Sequence, residues 1–335
     1  MTFPISYLLF FFTLLTGSLL SISSTSWFGA WLGLELNLLS FIPLISTKLN
    51  SHLTEAAIKY FLVQALASTI LIMSSSLYMY TVNISYTLIA LSLFMKLGAA
   101  PLHFWFPQVI EGLFWPQAFI LLTIQKLAPM FLISYLTFLP NMLYLITFTA
   151  ILSSVVGAIG GLNLLKLRKI MAFSSINHMS WMFMAITLND SAWLLYFLFY
   201  SIISASVIIM LFSAQSYTIS NLVNNSKKSM ISNFLLPMNF LSLGGLPPFL
   251  GFVPKWIMIQ LLINSSSIFP VMILLASSLI TLYFYLRIFM PLILLSFPTL
   301  VSSLKDKSSF SIFSLSAILS FFNLFGILFP LPFFV

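Results

Sequence analysis

The sequence predicts an all-α polytopic membrane protein with about eleven transmembrane helices. Three observations support this fold class: 61% of the 335 residues are hydrophobic, only 5% are charged, and the mean hydropathy is +1.12. Apolar runs long enough to cross a bilayer recur from one end to the other. A soluble chain of this length needs far more charge on its surface, and a membrane β-barrel would show short alternating segments instead.

The apolar runs delimit spans joined by mostly short loops. Their predicted bounds are 3–22, 26–45, 56–80, 83–104, 115–137, 141–162, 168–188, 191–215, 233–263, 269–290 and 309–333. No linker indicates a second domain, so we expect residues 1–335 to form a single transmembrane domain that ends with the C-terminal helix 309–333.

Glycine and proline interrupt two of these spans, 83–104 near residues 97–101 and 233–263 near residues 243–248. The interrupted stretches form a weak internal repeat, "KLGAAPLHFWFPQ" and "SLGGLPPFLGFVPKW". Broken helices at matching positions in two halves are typical of the ion or substrate pathway of a transporter.

The net charge is +8, and many of the charged residues lie in short loops, which favours a role in membrane topology over a nucleic-acid partner. The basic residues follow the even-numbered spans, and they are Lys48, Lys166, Arg168, Lys169, Lys227, Lys228, Arg287, Lys305 and Lys307. The positive-inside rule places these loops and the N-terminus in the cytoplasm or the mitochondrial matrix. An odd number of spans places the C-terminus on the opposite side.

Composition excludes several kinds of site. With no cysteine, the chain has no disulfide, no thiolate zinc site and no cysteine-ligated iron–sulfur cluster. Three widely separated histidines argue against haem or a metal centre. No nucleotide-binding motif and no cleavable signal peptide stand out.

Five ionisable residues lie deep in predicted spans, namely Glu35, Lys96, Lys126, His178 and Lys255. A charge at the bilayer centre costs on the order of 3 kcal/mol. A structural interpretation is open for each one: a lysine can snorkel, a glutamate can pair with a lysine, and a neutral imidazole can bond a neighbouring helix. Three lysines and one glutamate on different spans favour proton transfer.

Prolines near the lysines are a second observation that favours proton transfer. A helical proline frees the carbonyl four residues earlier from its hydrogen bond. The pairs are Pro101 with Leu97, Pro129 with Gln125, Pro247 with Leu243, and Pro248 with Gly244. We expect these carbonyls to solvate an ammonium or hold water, since irregular backbone at membrane depth lines protein or a wet cavity. Charges about 7 Å apart interact by about 2.4 kcal/mol at an effective dielectric of 20, enough to alter the protonation of a neighbour.

Several strings carry a specific resemblance: "WLGLELNLLSFIPL", "TEAAIKYFLVQALAS", "MKLGAAPLHFWFPQVIEG", "QKLAPMFLISY", "LRKIMAFSSINHMSWM" and "FLSLGGLPPFLGFVPKW". In this order, over about residues 20–290, the chain resembles the family of NADH–ubiquinone oxidoreductase chain 2 of animal mitochondria. It departs from the family at Leu164 and Leu165, where relatives carry a polar run, and at Ser180, where glycine is common.

The resemblance implies an antiporter-like, inverted-repeat fold that lacks three N-terminal helices of the longer forms. It implies a core membrane-arm subunit of respiratory complex I that translocates protons, driven by quinone reduction elsewhere in the complex. The proton-transfer roles of the family fall on Glu35, Lys96, Lys126 and Lys255.

The resemblance also implies cofactors, partners and location. NADH, FMN, iron–sulfur clusters and ubiquinone would bind to other subunits, with no cofactor in this chain and room for a structural phospholipid. The partners would be other membrane-arm subunits, including neighbouring antiporter-like subunits, and lipids, with no nucleic acid. The chain would be a multi-pass protein of the mitochondrial inner membrane, with its N-terminus in the matrix and its C-terminus in the intermembrane space.

Two other functions remain open from the sequence. One is a standalone cation/proton antiporter of the related bacterial type, against which the missing N-terminal helices argue. The other is a passive membrane scaffold, against which the four buried charges argue.

Overall fold

The computed structural model describes residues 5–46, 50–78, 80–225 and 230–296, together with residues 320, 321, 323 and 324. Helices dominate these ranges. They are α1 Ile5–Ser23, α2 Trp27–Ile45, α3 Ser51–Leu77, α4 Val82–Leu97, α5 Trp105–Gly112, α6 Trp115–Leu122, α7 Ile124–Ser134, α8 Pro140–Gly160, α9 Leu167–Ile186, α10 Asp190–Ala214, α11 Ile219–Asn225, α12 Met230–Gly244, α13 Phe252–Asn264 and α14 Ile268–Ser296.

The all-α membrane fold is confirmed. Every predicted span from 3–22 to 269–290 contains helix where the structure describes it, and seven helical segments there are long and apolar enough to cross a membrane. The predicted helix 309–333 lies outside the described residues except for Ser320, Phe321, Asn323 and Leu324. Both predicted breaks are present, at 98–104 and at 245–251.

The predicted span 115–137 is present as one apolar helical segment, Trp115–Ser134. It contains a local irregularity, because α6 ends at Leu122 and α7 begins at Ile124. The residue between them, Thr123, leaves helical backbone geometry with φ −118° and ψ −78°. Its hydroxyl donates to the Phe119 carbonyl oxygen at 2.7 Å. A threonine hydroxyl that bonds the carbonyl four residues earlier bends helices.

The chain divides into two compact units, Met1–Leu152 and Ser153–Val335. In the first unit, α1 and α2 touch through backbone. A Cβ added to Gly33 would lie 2.5 Å from the Ser21 nitrogen and 2.7 Å from the Gly17 carbonyl oxygen. Glycine therefore lets α2, which carries Glu35, lie directly against α1.

In the second unit, every residue of α9 from Ser174 to Ile186 is buried. Polar side chains tie it to α14. The Ser277 hydroxyl donates to Asn177 Oδ1 at 3.2 Å, and Asn177 Nδ2 donates to Thr281 Oγ1 at 3.4 Å. Satisfied polar groups of this kind fix the rotation of a buried helix, here the one that carries His178.

The basic residues behind the predicted orientation are only partly described. Lys48, Lys227, Lys228, Lys305 and Lys307 lie outside the described residues. Near the start of α9, the Arg168 guanidinium lies 4.6 Å from the centre of the Tyr217 ring. The backbone there pairs with the loop before α11, since the Leu167 N–H donates to the Tyr217 carbonyl oxygen at 3.0 Å.

Candidate functional site

The first break is built by a glycine in the left-handed conformation. Gly98 has φ +70°, and its N–H donates to the Met95 carbonyl oxygen while the Ala99 N–H donates to that of Phe94. This pair of bonds is the Schellman motif that ends helices. The motif stops α4 at Leu97 and leaves Lys96 in its last turn.

Lys96 is buried at this helix end. Its own carbonyl oxygen accepts a hydrogen bond from Gln64 Nε2 at 3.2 Å, so a side chain of α3 holds the last turn of α4. The C-terminal end of a helix carries partial negative charge, which favours a nearby ammonium. The position therefore offsets part of the cost of burying the charge.

Lys126 is the most deeply buried of the predicted lysines, with 2% of its surface exposed. It lies in the first turn of α7, just after the irregular residue Thr123. Its Nζ atom lies 5.3 Å from the centre of the Phe106 ring, within the range of a cation–π interaction. Phe106 belongs to α5, the short helix that follows the first break.

A small cavity brings Lys96 and Lys126 together. Both line it, and its interior offers about 20 Å³ of space for the centres of water-sized spheres. A water molecule needs about 10–15 Å³ by this measure and several polar partners. The cavity is polar enough to supply them, since it is also lined by Asn37, Tyr60, Gln64 and Gln125.

Glu35 lies at the middle of α2 and is partly buried. It is close enough to both Lys96 and Tyr60 for an electrostatic interaction. Within the described ranges it makes no direct ion pair with Lys96, and its buried Oε2 has no hydrogen-bond partner. Trp31 lies one turn earlier on the same face, and its buried Nε1 is also without a hydrogen-bond partner among the described residues.

The second break repeats this arrangement with the lysine on the other side of the gap. Gly245 has φ +77°, and its N–H donates back to the carbonyl oxygens of Leu241 and Ser242, which ends α12. Lys255 lies in the first turn of α13 and is buried. Its ammonium donates to the Gly244 carbonyl oxygen at 2.7 Å.

This contact confirms the expectation that a freed carbonyl solvates the Lys255 ammonium. It also gives the two breaks a common electrostatic design. Lys96 sits in the last turn of α4, and Lys255 reaches across the break to the C-terminal end of α12. In each unit, therefore, a buried lysine lies at the negative end of a half-helix.

His178 lies in the second unit, buried at the middle of α9. Its Nδ1 is 3.0 Å from the Tyr196 hydroxyl on α10. Its ring centre is 5.1 Å from that of Tyr200, one turn further along α10. Tyr285 interacts electrostatically with both of these tyrosines, so His178 lies against a cluster of tyrosines.

Sequence reasoning missed the neutral polar residues of the site, Asn37, Tyr60, Gln125 and Tyr196. Tyr60 donates to Gln125 Oε1 at 3.3 Å, and Gln125 Nε2 donates to Asn37 Oδ1 at 2.7 Å. A signal was available, because each is a hydrogen-bonding residue inside an apolar span. Within the described ranges, no group of three or more His, Asp or Glu residues could hold a metal ion.

The surroundings of the buried lysines contain the groups that proton transfer requires. Burial favours the neutral amine of a lysine, whereas a carboxylate or a helix C-terminus favours the ammonium. Lys96 is buried and lies within electrostatic reach of the Glu35 carboxylate, Lys126 is buried beside the Phe106 ring, and both line one water-sized cavity. A small rearrangement there can change which lysine holds a proton.

A family model and curated relatives assign the chain to the same family. Residues 24–281 match the family described as "NADH:quinone oxidoreductase/Mrp antiporter, TM". The chain is 43% identical over 332 residues to NADH-ubiquinone oxidoreductase chain 2 of Anopheles gambiae, covering 96% of each chain. It is 45% identical over 333 residues to the Aedes aegypti protein of the same name, covering 97% of this chain and 96% of the relative.

Solved structures share the fold at lower identity. A chain of respiratory complex I from Thermus thermophilus superposes with a TM-score of 0.80 at 22% identity, over 98% of this chain and 80% of that one. A chain of the archaeal membrane-bound sulfane sulfur reductase gives 0.84 at 18% identity, over 98% and 73%. A chain of the Mrp complex from Dietzia sp. gives 0.74 at 18% identity, over 83% and 59%.

Proposed function

This chain belongs to the family of NADH-ubiquinone oxidoreductase chain 2, and we propose that it carries protons across the membrane within that oxidoreductase, respiratory complex I. The observation that supports the proposal most directly is the convergence of Lys96 and Lys126 on one polar cavity beside Glu35. Buried charges of this kind mark ion pathways in membrane proteins.

The mechanism in the first unit follows from electrostatics. A proton on Lys96 is stabilised by the carboxylate of Glu35 and by the end of α4. Two ammonium groups about 7 Å apart repel each other by about 2.4 kcal/mol at an effective dielectric of 20, so an ammonium on Lys96 would disfavour a second one on Lys126. The cavity therefore favours one ammonium at a time, and a change at Glu35 would move the proton between the two amines.

Lys255 and His178 extend the proposal to the second unit. The Gly244 carbonyl oxygen holds the Lys255 ammonium at 2.7 Å, and His178 is held by Tyr196 at 3.0 Å. Each is a group that can take and release a proton in a site shielded from lipid. We propose that both units act in one antiporter-like domain over residues 1–335.

The proposal also covers the cofactors, the partners and the location of the chain. The chain itself takes up no cofactor, and NADH, FMN, iron–sulfur clusters and ubiquinone bind elsewhere in the complex. Its partners are other membrane-arm subunits and lipids, in the mitochondrial inner membrane, with the N-terminus in the matrix and the C-terminus in the intermembrane space. The standalone antiporter is less well supported, because the chain matches nearly the full length of complex I relatives at over 40% identity.

The test replaces Lys126 with methionine in the assembled complex. Methionine keeps the length of the side chain and removes the charge. We expect NADH oxidation and proton pumping per assembled complex to fall together by about 100-fold, as for loss of a general acid–base group. Lys59→Met is the matched control, because Lys59 is partly exposed and pairs at the surface with Glu55 at 2.6 Å.

Assembly is measured separately on a native gel stained for NADH oxidation, with this chain identified by mass spectrometry. The proposal fails if Lys126→Met assembles and pumps protons at the rate of the parent complex. A chain that migrates apart from the NADH-oxidising band would support the standalone antiporter instead.

A further inference from the structure

Tyr60 is a buried tyrosine whose ring is fixed on two sides. It lies on α3, with 2% of its surface exposed. The Phe41 ring meets it edge-on with centroids 5.1 Å apart, and the Trp105 ring lies 5.9 Å away. Aromatic contacts of this kind hold the ring in place, so the position of the hydroxyl is set by packing.

The hydroxyl of Tyr60 begins a chain of hydrogen bonds across three helices. It donates to Gln125 Oε1 on α7 at 3.3 Å. Gln125 Nε2 then donates to Asn37 Oδ1 on α2 at 2.7 Å. Because the hydroxyl hydrogen is directed at Gln125, the lone pairs of the Tyr60 oxygen are left for other donors.

Those lone pairs border the lysine cavity. Tyr60, Gln125 and Asn37 all line it, together with Lys96 and Lys126. Tyr60 is also within electrostatic reach of Glu35, which does not itself line the cavity. Tyr60 is thus a polar group that adjoins both the carboxylate and the cavity that the two lysines share.

We infer that Tyr60 is a positioning residue for proton transfer between Glu35 and the cavity of Lys96 and Lys126. Its hydroxyl oxygen accepts a hydrogen bond from a donor in the cavity, a lysine ammonium or a water molecule, and Gln125 holds it in the accepting orientation. No covalent bond changes at Tyr60, since it orients the donor and is not consumed. The inference rests on the proposed function, because it concerns the same cavity.

The test is Tyr60→Phe in the assembled complex, which removes one oxygen and leaves the ring contacts in place. We expect turnover and proton pumping per assembled complex to fall about fivefold, the factor that corresponds to one hydrogen bond. We also expect the solvent deuterium isotope effect on turnover to rise, since the proton step becomes slower. A purely structural loss would reduce the amount of complex without raising the isotope effect.

Two further variants make the outcome decisive. Tyr144→Phe is the matched control, because Tyr144 is 76% exposed and should leave all readouts at the parent value. Gln125→Leu removes the acceptor of the Tyr60 hydroxyl but keeps the ring of Tyr60. It should show the same loss and the same rise in isotope effect, and it decides the question if Tyr60→Phe does not assemble.

Lys126→Met, measured in parallel, distinguishes a failure of the Tyr60 role from a failure of the proposed function. If it abolishes pumping while Tyr60→Phe and Gln125→Leu assemble with parent turnover and parent isotope effect, the role of Tyr60 is refuted and the proposed function stands. If Lys126→Met itself pumps normally, the proposed function is refuted and the role of Tyr60 falls with it.

Discussion

Replacing Gly245 with alanine should disconnect Lys255 from the end of α12. Gly245 has φ +77°, a conformation that is costly for a residue with a Cβ atom. An added Cβ would also lie 2.8 Å from Lys255 Cδ and 3.0 Å from its Nζ. The distance to Cδ is shorter than real Cβ contacts, so the lysine side chain must shift.

The magnitude follows from two effects. The left-handed backbone costs an alanine roughly 1–2 kcal/mol. Moving the ammonium from the Gly244 carbonyl oxygen, now at 2.7 Å, removes a hydrogen bond to a charged group, of about 1.5–3 kcal/mol. If the carbonyl holds Lys255 for proton transfer, the second effect corresponds to a loss of about 10-fold to 100-fold in pumping.

The adjacent glycine provides the control. Gly244 is the last residue of α12, and a Cβ added to it would meet its nearest neighbour, Tyr285 Cδ2, at 3.4 Å, which is ordinary van der Waals contact. Gly244→Ala should therefore leave turnover unchanged and should not destabilise the complex. Both variants are compared by proton pumping per assembled complex, with NADH oxidation and native-gel abundance as companion measurements.

The reasoning would be refuted in either of two ways. Gly245→Ala could assemble and pump like the parent, which would show that the contact between Lys255 and Gly244 is dispensable. Alternatively, Gly244→Ala could show an equal defect, which would mean that any side chain in this segment disturbs α12. Loss of assembled complex alone in Gly245→Ala, with normal pumping by what remains, would assign the contact to stability only.

Two other predictions concern packing and the histidine. Gly33→Ala should destabilise the complex by about 3 kcal/mol or more, because its Cβ would lie 2.5 Å from backbone of α1, whereas Gly29→Ala meets only serine side chains and should be tolerated. Native-gel abundance distinguishes them, and equal abundance would contradict the close contact of α1 with α2. Tyr196→Phe should lower the thermal stability of the complex by about 1 kcal/mol, through loss of the 3.0 Å bond to His178. A melting curve of the purified complex tests this, and an unchanged midpoint would show that the bond adds no stability.

The local features of this protein could be predicted from its sequence because each depends on a short stretch of chain. Apolar runs predict the spans, since lipid demands about 20 apolar residues for each helix. The breaks at Gly98 and Gly245 follow from glycine and proline, which act on their own backbone and on the turn before them. The burial of Lys96, Lys126 and Lys255 follows from their place within those spans.

The contacts between helices could not be predicted, because they depend on how distant segments pack. Lys96 and Lys126 are separated by a break and two short helices, α5 and α6, and only the packing of α4 against α7 brings them to one cavity. The hydrogen bonds from Tyr60 to Gln125 and from Gln125 to Asn37 form only when α3, α7 and α2 place these side chains at the same level in the membrane. The irregularity at Thr123 accompanies a hydrogen bond from its hydroxyl to the Phe119 carbonyl oxygen, which threonine makes only in some helices. Sequence thus determined which charges are buried in the membrane, and tertiary structure decided which of them meet, because hydropathy is a property of residues and proximity is a property of the packed chain.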